Sequence, residues 1–100
     1  MAFLTARKMA ISCLQTANFR AEDRLSDPDK NLLATGQVSA DEVISILLQC
    51  RGEGYSESPH HASSIHVSVH VFRTVFQTRA WYIKLYFLEP DCIFISVHHS

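Results

Sequence analysis

The sequence predicts an α+β fold: N-terminal helices packed on one face of a three-stranded, or slightly larger, antiparallel sheet. Three observations carry this. Residues up to about 51 hold helix formers, helix-start signals and apolar residues three or four apart. Residues from about 65 to 99 switch to strict alternation of apolar and polar side chains. Between them, residues 52–64 (Gly-Glu-Gly-Tyr-Ser-Glu-Ser-Pro-His-His-Ala-Ser-Ser) read as a polar loop of the length that is often functional. At 100 residues and 47% hydrophobic, with three Gly and three Pro, the chain is expected to form one domain, 1–100, with a small but real core.

The elements follow in order. From Phe3 to Ala17, Leu4, Ile11, Leu14 and Ala17 form the apolar set of a first helix. Asp27-Pro28 is suited to N-cap and N1, and Gly36 to a C′ stop, giving a short helix over about 28–35 that buries Leu32 and Leu33. Ser39-Ala40-Asp41-Glu42 is a capping box, in which hydroxyl and carboxylate each satisfy the other residue's backbone N–H. Val38 and Val43 stand in staple positions around it. The helix it starts runs to about Cys50, burying Val43, Ile44, Leu47 and one of Ile46 or Leu48, and Gly52 and Gly54 end it.

Three strands are expected next. Ile65, Val67, Val69 and Val71 alternate with His66, Ser68 and His70 until the phase slips at Phe72-Arg73, where a bulge or strand end is expected. Trp81, Ile83, Leu85 and Phe87 alternate with Tyr82, Lys84 and Tyr86, and Ile93, Ile95 and Val97 with Phe94, Ser96 and His98. Directly opposed residues share a face, so a three-residue loop Glu89-Pro90-Asp91 is required to keep both apolar sets together, and a two-residue loop is rejected. That register sets Leu88 against Cys92, Tyr86 beside Phe94, Lys84 beside Ser96 and Tyr82 beside His98. Extended to the first strand, the same parity places His66, Ser68 and His70 on the face of Tyr82 and Lys84.

Such a face gathers the groups that metal-free RNA cleavage requires: a base, an acid, cations for the phosphate and a platform for a nucleobase. His98 and His70 serve as base or acid, and Lys84 and Arg73 stabilise phosphorane charge. Tyr82 donates to phosphate or acts as acid, and Tyr86 or Phe94 stacks. An ordinary solvated sheet face carries a similar mix, so the inventory alone does not select the chemistry.

Other classes fare worse. The net charge of −1 does not itself point to nucleic acid, although all six His lie at position 60 or later and residues 59–100 are mildly basic. Cys13, Cys50 and Cys92 are odd in number and widely spaced, which opposes a disulfide framework and suits a reducing cytoplasm. Cys13 and Cys50 read as small core residues, and Cys92 as a partly buried spacer. His66 and His70 share a strand face but stand roughly 13 Å apart, too far to chelate one ion. His60-His61 and His98-His99 are adjacent and point to opposite faces. No metal and no cofactor are expected. No apolar run reaches membrane-spanning length, and Arg7 and Lys8 interrupt any signal-like stretch at the start.

Gly36 with Ser39 to Val43, Tyr55 with Ser58-Pro59, Val71-Phe72-Arg73, Tyr82-Ile83-Lys84 and Ile95-Ser96-Val97-His98 follow one another in that order over about residues 30–99. These motifs and their order resemble the MqsR-like branch of the RelE-type mRNA interferase toxins. The resemblance implies a RelE-like fold and a cytoplasmic endoribonuclease of a type II toxin–antitoxin system, acting on mRNA without a metal and neutralised by a protein antitoxin. Tyr82 and Lys84 match the family's Y-x-K strand and Arg73 its Arg at the end of the first strand; taken with the inventory of the face, the expected catalytic set is Tyr82, Lys84, His98, His70 and Arg73, with Arg79, Tyr86, Tyr55 and His66 contacting the RNA. His98 stands where these toxins often have Lys, Ser56 stands where a further Lys is expected, and the net charge is lower than their basic habit. The competing expectation is a non-catalytic protein-interaction module on the same scaffold, followed by a His-based metal-binding or pH-sensing domain.

Overall fold

The computed structural model describes residues 2–22, 30–60 and 67–100. Helix α1 spans Phe3–Gln15, and Ala6, Ala10 and Leu14 form its buried stripe. The expected stripe is shifted: Leu4 is 64% exposed, while two alanines let the helix sit close on its neighbours. Ala17 takes φ 61 just past the helix, and the N–H of Asn18 donates to Cys13 O at 2.9 Å. This is the left-handed helix end that usually holds glycine.

Strand β1, Phe19–Ala21, follows directly, and α2 spans Ala40–Gln49. The capping box is present as expected, with Ser39 Oγ accepting from the Glu42 N–H and Glu42 Oε1 accepting from the Ser39 N–H, each at 3.2 Å. Val43, Ile46 and Leu47 are buried, Ile44 is half-buried and Leu48 is exposed. The short helix expected at 28–35 falls partly outside the described residues. From Lys30 on there is a single turn, held by Thr35 N–H to Asn31 O at 3.2 Å, with Gly36 at φ 81.

The expected loop 52–64 contains a 3-10 turn, Gly52–Gly54, and a strand β2, Tyr55–Pro59. Strands β3 (Ser68–Phe76), β4 (Arg79–Leu88) and β5 (Asp91–His99) complete a mixed five-stranded sheet of order β1-β5-β4-β3-β2 among the described residues. β1 is its parallel member, pairing Phe19 with Cys92. The expected three-stranded antiparallel sheet is thus extended at both edges. Beyond β1 the edge of β5 continues to be covered: Phe94 O accepts from the Glu22 N–H at 2.9 Å and the buried Asn31 Nδ2 at 3.0 Å.

The main core lies between helices and sheet, joining Ala6, Ala10, Val43, Ile46 and Leu47 to Phe72, Ile83, Leu85, Phe94 and Val97. A second apolar cluster occupies part of the opposite face: Val69, Val71, Tyr86, Ile93 and Ile95. Both faces of β3 are therefore buried over residues 69–72, which is the origin of the phase slip in the sequence. The strand passes through Phe72-Arg73 without a bulge. Ile65 and His66 lie outside the described residues.

Candidate functional site on the outer sheet face

Turn lengths decide which side chains share a face. β3 and β4 pair Phe76 with Arg79 around Gln77-Thr78, both with positive φ (52 and 66). That primed two-residue turn matches strand twist but opposes odd to even numbers. His70 therefore pairs with Leu85 and turns to the helix side, at 2% exposure, away from Tyr82 and Lys84. The parity extended from β5 to β3 fails for this reason, and the same pairing brings Arg73 opposite Tyr82.

The β4–β5 connection is also tighter than expected. Leu88 pairs with Asp91 around Glu89-Pro90, whose peptide is cis, and Tyr86 pairs with Ile93. The rejected two-residue loop is the one present. The register then shifts between Lys84 and Leu85: Leu85 faces Phe94, but Lys84 faces Ser96. This bulge leaves Ile95 over, and one extra residue on β5 restores the parity that a longer loop would have given. Beyond it Tyr82 pairs with His98 and Lys84 with Ser96, as expected.

The result is two polar rows on the face opposite the helices. In the first, Arg73, Tyr82 and His98 lie across three neighbouring strands. The Arg73 guanidinium sits 5.1 Å from the Tyr82 ring centroid. The Tyr82 and His98 rings stack at 5.1 Å with 20° between planes. At about 4.8 Å between strands, the row spans roughly 10 Å, the scale of one phosphodiester with its sugars. In the second row Lys84 lies between Val71 and Ser96. Arg73 is exposed, Tyr82, Lys84 and His98 are half-buried, and Ser96 is buried. Neither row carries a carboxylate.

The tautomer of His98 follows from geometry. Its Nδ1 lies 2.7 Å from His99 O, and a carbonyl oxygen only accepts. Nδ1 therefore carries the proton, and in the neutral ring Nε2 keeps its lone pair.

The other expected site residues are placed elsewhere. Tyr86 is buried in the second apolar cluster with its ring 5.1 Å from that of His60, and burial pushes its hydroxyl pKa up. His60 and Glu22, which follow the two opposite edge strands, meet above it at 3.1 Å. This clasp has no local sequence signature. Tyr55 opens β2 on the helix side, its hydroxyl 2.7 Å from His70 Nδ1 and donating to Glu57 Oε1 at 3.1 Å. Burial, then the bond to Glu57, pushes Tyr55 up to about 12. Burial lowers the pKa of His70, although the Glu57 carboxylate opposes that. Arg79 ends the β3–β4 turn, with Nη1 3.2 Å from His99 Nε2. His66 lies outside the described residues.

Cys50 and Cys92 are fully buried and Cys13 is half-buried, all as free thiols. Cys92 is thus a core residue rather than a partly buried spacer, and burial raises its thiol pKa far above the ordinary value. Among the described residues no three His, Cys, Asp or Glu side chains converge as a metal site requires. No helix among them is long and apolar enough to cross a membrane. Comparison with known proteins returns no match to a family model, to a curated protein or to a solved structure.

Proposed function

We propose that the protein is a metal-independent endoribonuclease of the mRNA interferase kind, with its active face on the Arg73–Tyr82–His98 and Lys84–Ser96 rows. The observation that carries this reading is the row itself: a base with a fixed tautomer, a phenol and a guanidinium aligned within the width of three strands. The resemblance to RelE-type toxins supports it through the same residues, on an α+β scaffold with helices behind the sheet.

In this mechanism His98 Nε2 takes the proton of a ribose 2′-hydroxyl. The 2′-oxygen forms a bond to phosphorus as the bond from phosphorus to O5′ breaks. Tyr82 donates its hydroxyl proton to the departing O5′, and Arg73 and Lys84 hold the non-bridging oxygens while their charge grows. The products are a 2′,3′-cyclic phosphate and a 5′-hydroxyl. His70, locked behind the sheet with Tyr55, takes no part, and Tyr86 is covered. Purified protein incubated with mRNA in excess chelator should yield these ends. Intact RNA, or cleavage abolished by chelator, refutes the reading.

A second reading, a protein-interaction module, is favoured by a groove of about 520 Å³ lined by Leu4, Arg7, Lys8, Ile11 and Leu48. Leu4 and Leu48 are 64% and 56% exposed, and α1 has cationic but no acidic residues. The charge and apolarity suit an acidic amphipathic segment. In the toxin reading this is the inhibitory segment of the antitoxin, and Leu48→Glu should then relieve neutralisation while cleavage persists.

A further inference from the structure

A second recess lies on the helix side of the sheet, where the β3–β4 turn, the end of β5 and the start of α2 meet. It is a cleft of about 290 Å³ lined by Gln37, Glu42, Phe76, Arg79, Trp81 and His99, among others. Ligand pockets usually run roughly 300–1,000 Å³, so this one has room for a single ring system and little more.

Its walls are chemically distinct. Trp81 and His99 are in ring contact at 4.1 Å between centroids, and Phe76 adds a further aromatic wall. Arg79 Nη1 lies 3.2 Å from His99 Nε2. A guanidinium only donates, so Nε2 is the acceptor in this contact and Nδ1 carries the ring proton. Gln37 offers an amide donor and acceptor. Glu42 uses Oε1 in the capping box, so a carboxylate is held at the cleft by the helix end itself. Ring surfaces from Phe76, Trp81 and His99, an amide and a carboxylate for an edge of N–H groups, and a cation at the rim are together what a nucleobase attached to a phosphate requires.

The location adds to this. His98 and His99 are consecutive on β5 and point to opposite faces, so the cleft and the Tyr82–His98 row lie back to back at the same end of the sheet. We propose that the cleft is a nucleobase subsite: one unpaired base of the RNA, farther along the strand than the scissile phosphate and past the end of the sheet, packs against Trp81 and His99. Its edge bonds to Gln37 and Glu42, and Arg79 holds its phosphate. The inference rests on the ribonuclease reading for its biological role, and it supplies that reading with a determinant of sequence preference.

Trp81 is the chain's sole tryptophan, so the subsite carries its own reporter. Nucleoside 5′-monophosphates should quench its fluorescence, excited at the red edge, in a saturable manner, and ribose 5-phosphate should not. Arg79→Ala should weaken the apparent affinity about ten- to a hundredfold, the worth of one charge-assisted bond. Gln37→Ala should change the order of preference among the four nucleotides. Absence of saturable quenching overturns the proposal, as does quenching equal for ribose 5-phosphate or inorganic phosphate, or an unaltered response in Arg79→Ala. Quenching with no RNA cleavage refutes the ribonuclease reading alone, and cleavage with no quenching refutes the subsite alone.

Discussion

Replacing His98 with Ala tests the proposed catalytic row most directly, because its effects on chemistry and on folding differ in size. The side chain is half-buried, stacks on Tyr82 and donates one bond to a main-chain carbonyl. Aromatic stacking of this kind contributes about 0.5–1.5 kcal/mol, and a single net hydrogen bond about as much. His98→Ala should therefore lower stability by about 1–3 kcal/mol, moving a urea midpoint by roughly 1–2 M. A positioned general base contributes about 10²- to 10⁴-fold in rate, or about 3–5 kcal/mol of transition-state stabilisation. Cleavage of a fluorophore–quencher RNA, followed in chelator and well below the unfolding midpoint, should fall by that factor while the circular dichroism spectrum is kept. A rate within threefold of the parent removes His98 from the mechanism. A loss that tracks the fraction unfolded would mean that its role is packing alone.

Four further outcomes are expected. Ala17→Gly, at φ 61 in the cap of α1, should stabilise the protein by about 0.5–1 kcal/mol in chemical denaturation. Gly54→Ala should cost more than about 2 kcal/mol, because the added Cβ would overlap the carbonyl oxygen of Arg73, and it should lower cleavage by moving that strand. Deleting Ile95 removes the odd residue of the bulge and leaves uninterrupted alternation along β5. Nuclear Overhauser contacts between the Tyr82 and His98 rings should persist, while loss of a 2%-exposed isoleucine lowers stability by about 1–3 kcal/mol net of the backbone ordering it no longer needs. The folded pKa of His70 lies below its ordinary value of 6.5, because burial disfavours the charged ring. Its stability contribution is thus complete above about pH 6.5 and is lost as pH falls through the folded value. Urea titrations at pH 7.5 and 5 should show a smaller difference in His70→Phe than in the parent.

Much of this molecule was legible in local signals. The capping box at Ser39–Glu42 needs only four consecutive residues, and it forms as read. β4 and β5 are visible because apolar and polar residues alternate without a break from Trp81 to Phe87 and from Ile95 to His98, and Tyr82 lies opposite His98 and Lys84 opposite Ser96 as that reading expects. A three-residue loop and a two-residue turn with a one-residue bulge both add a single residue, so the pairings far from the turn coincide while those near it do not. β1 was invisible, since three residues are too few to display a period and its partner lies some seventy positions away. β2 was hidden in polar composition, as edge strands often are.

The sequence by itself thus determined which residues alternate along each strand. Only the tertiary structure decided which alternating set faces the helices. Period-two patterning fixes a strand's faces up to one sign, and that sign is set by turn length and bulges. For β3 the choice went against the simple reading, because a second apolar cluster on the outer face buries Val69 and Val71. That sends His70 behind the sheet and leaves Arg73, Tyr82, Lys84 and His98 together on the outer face.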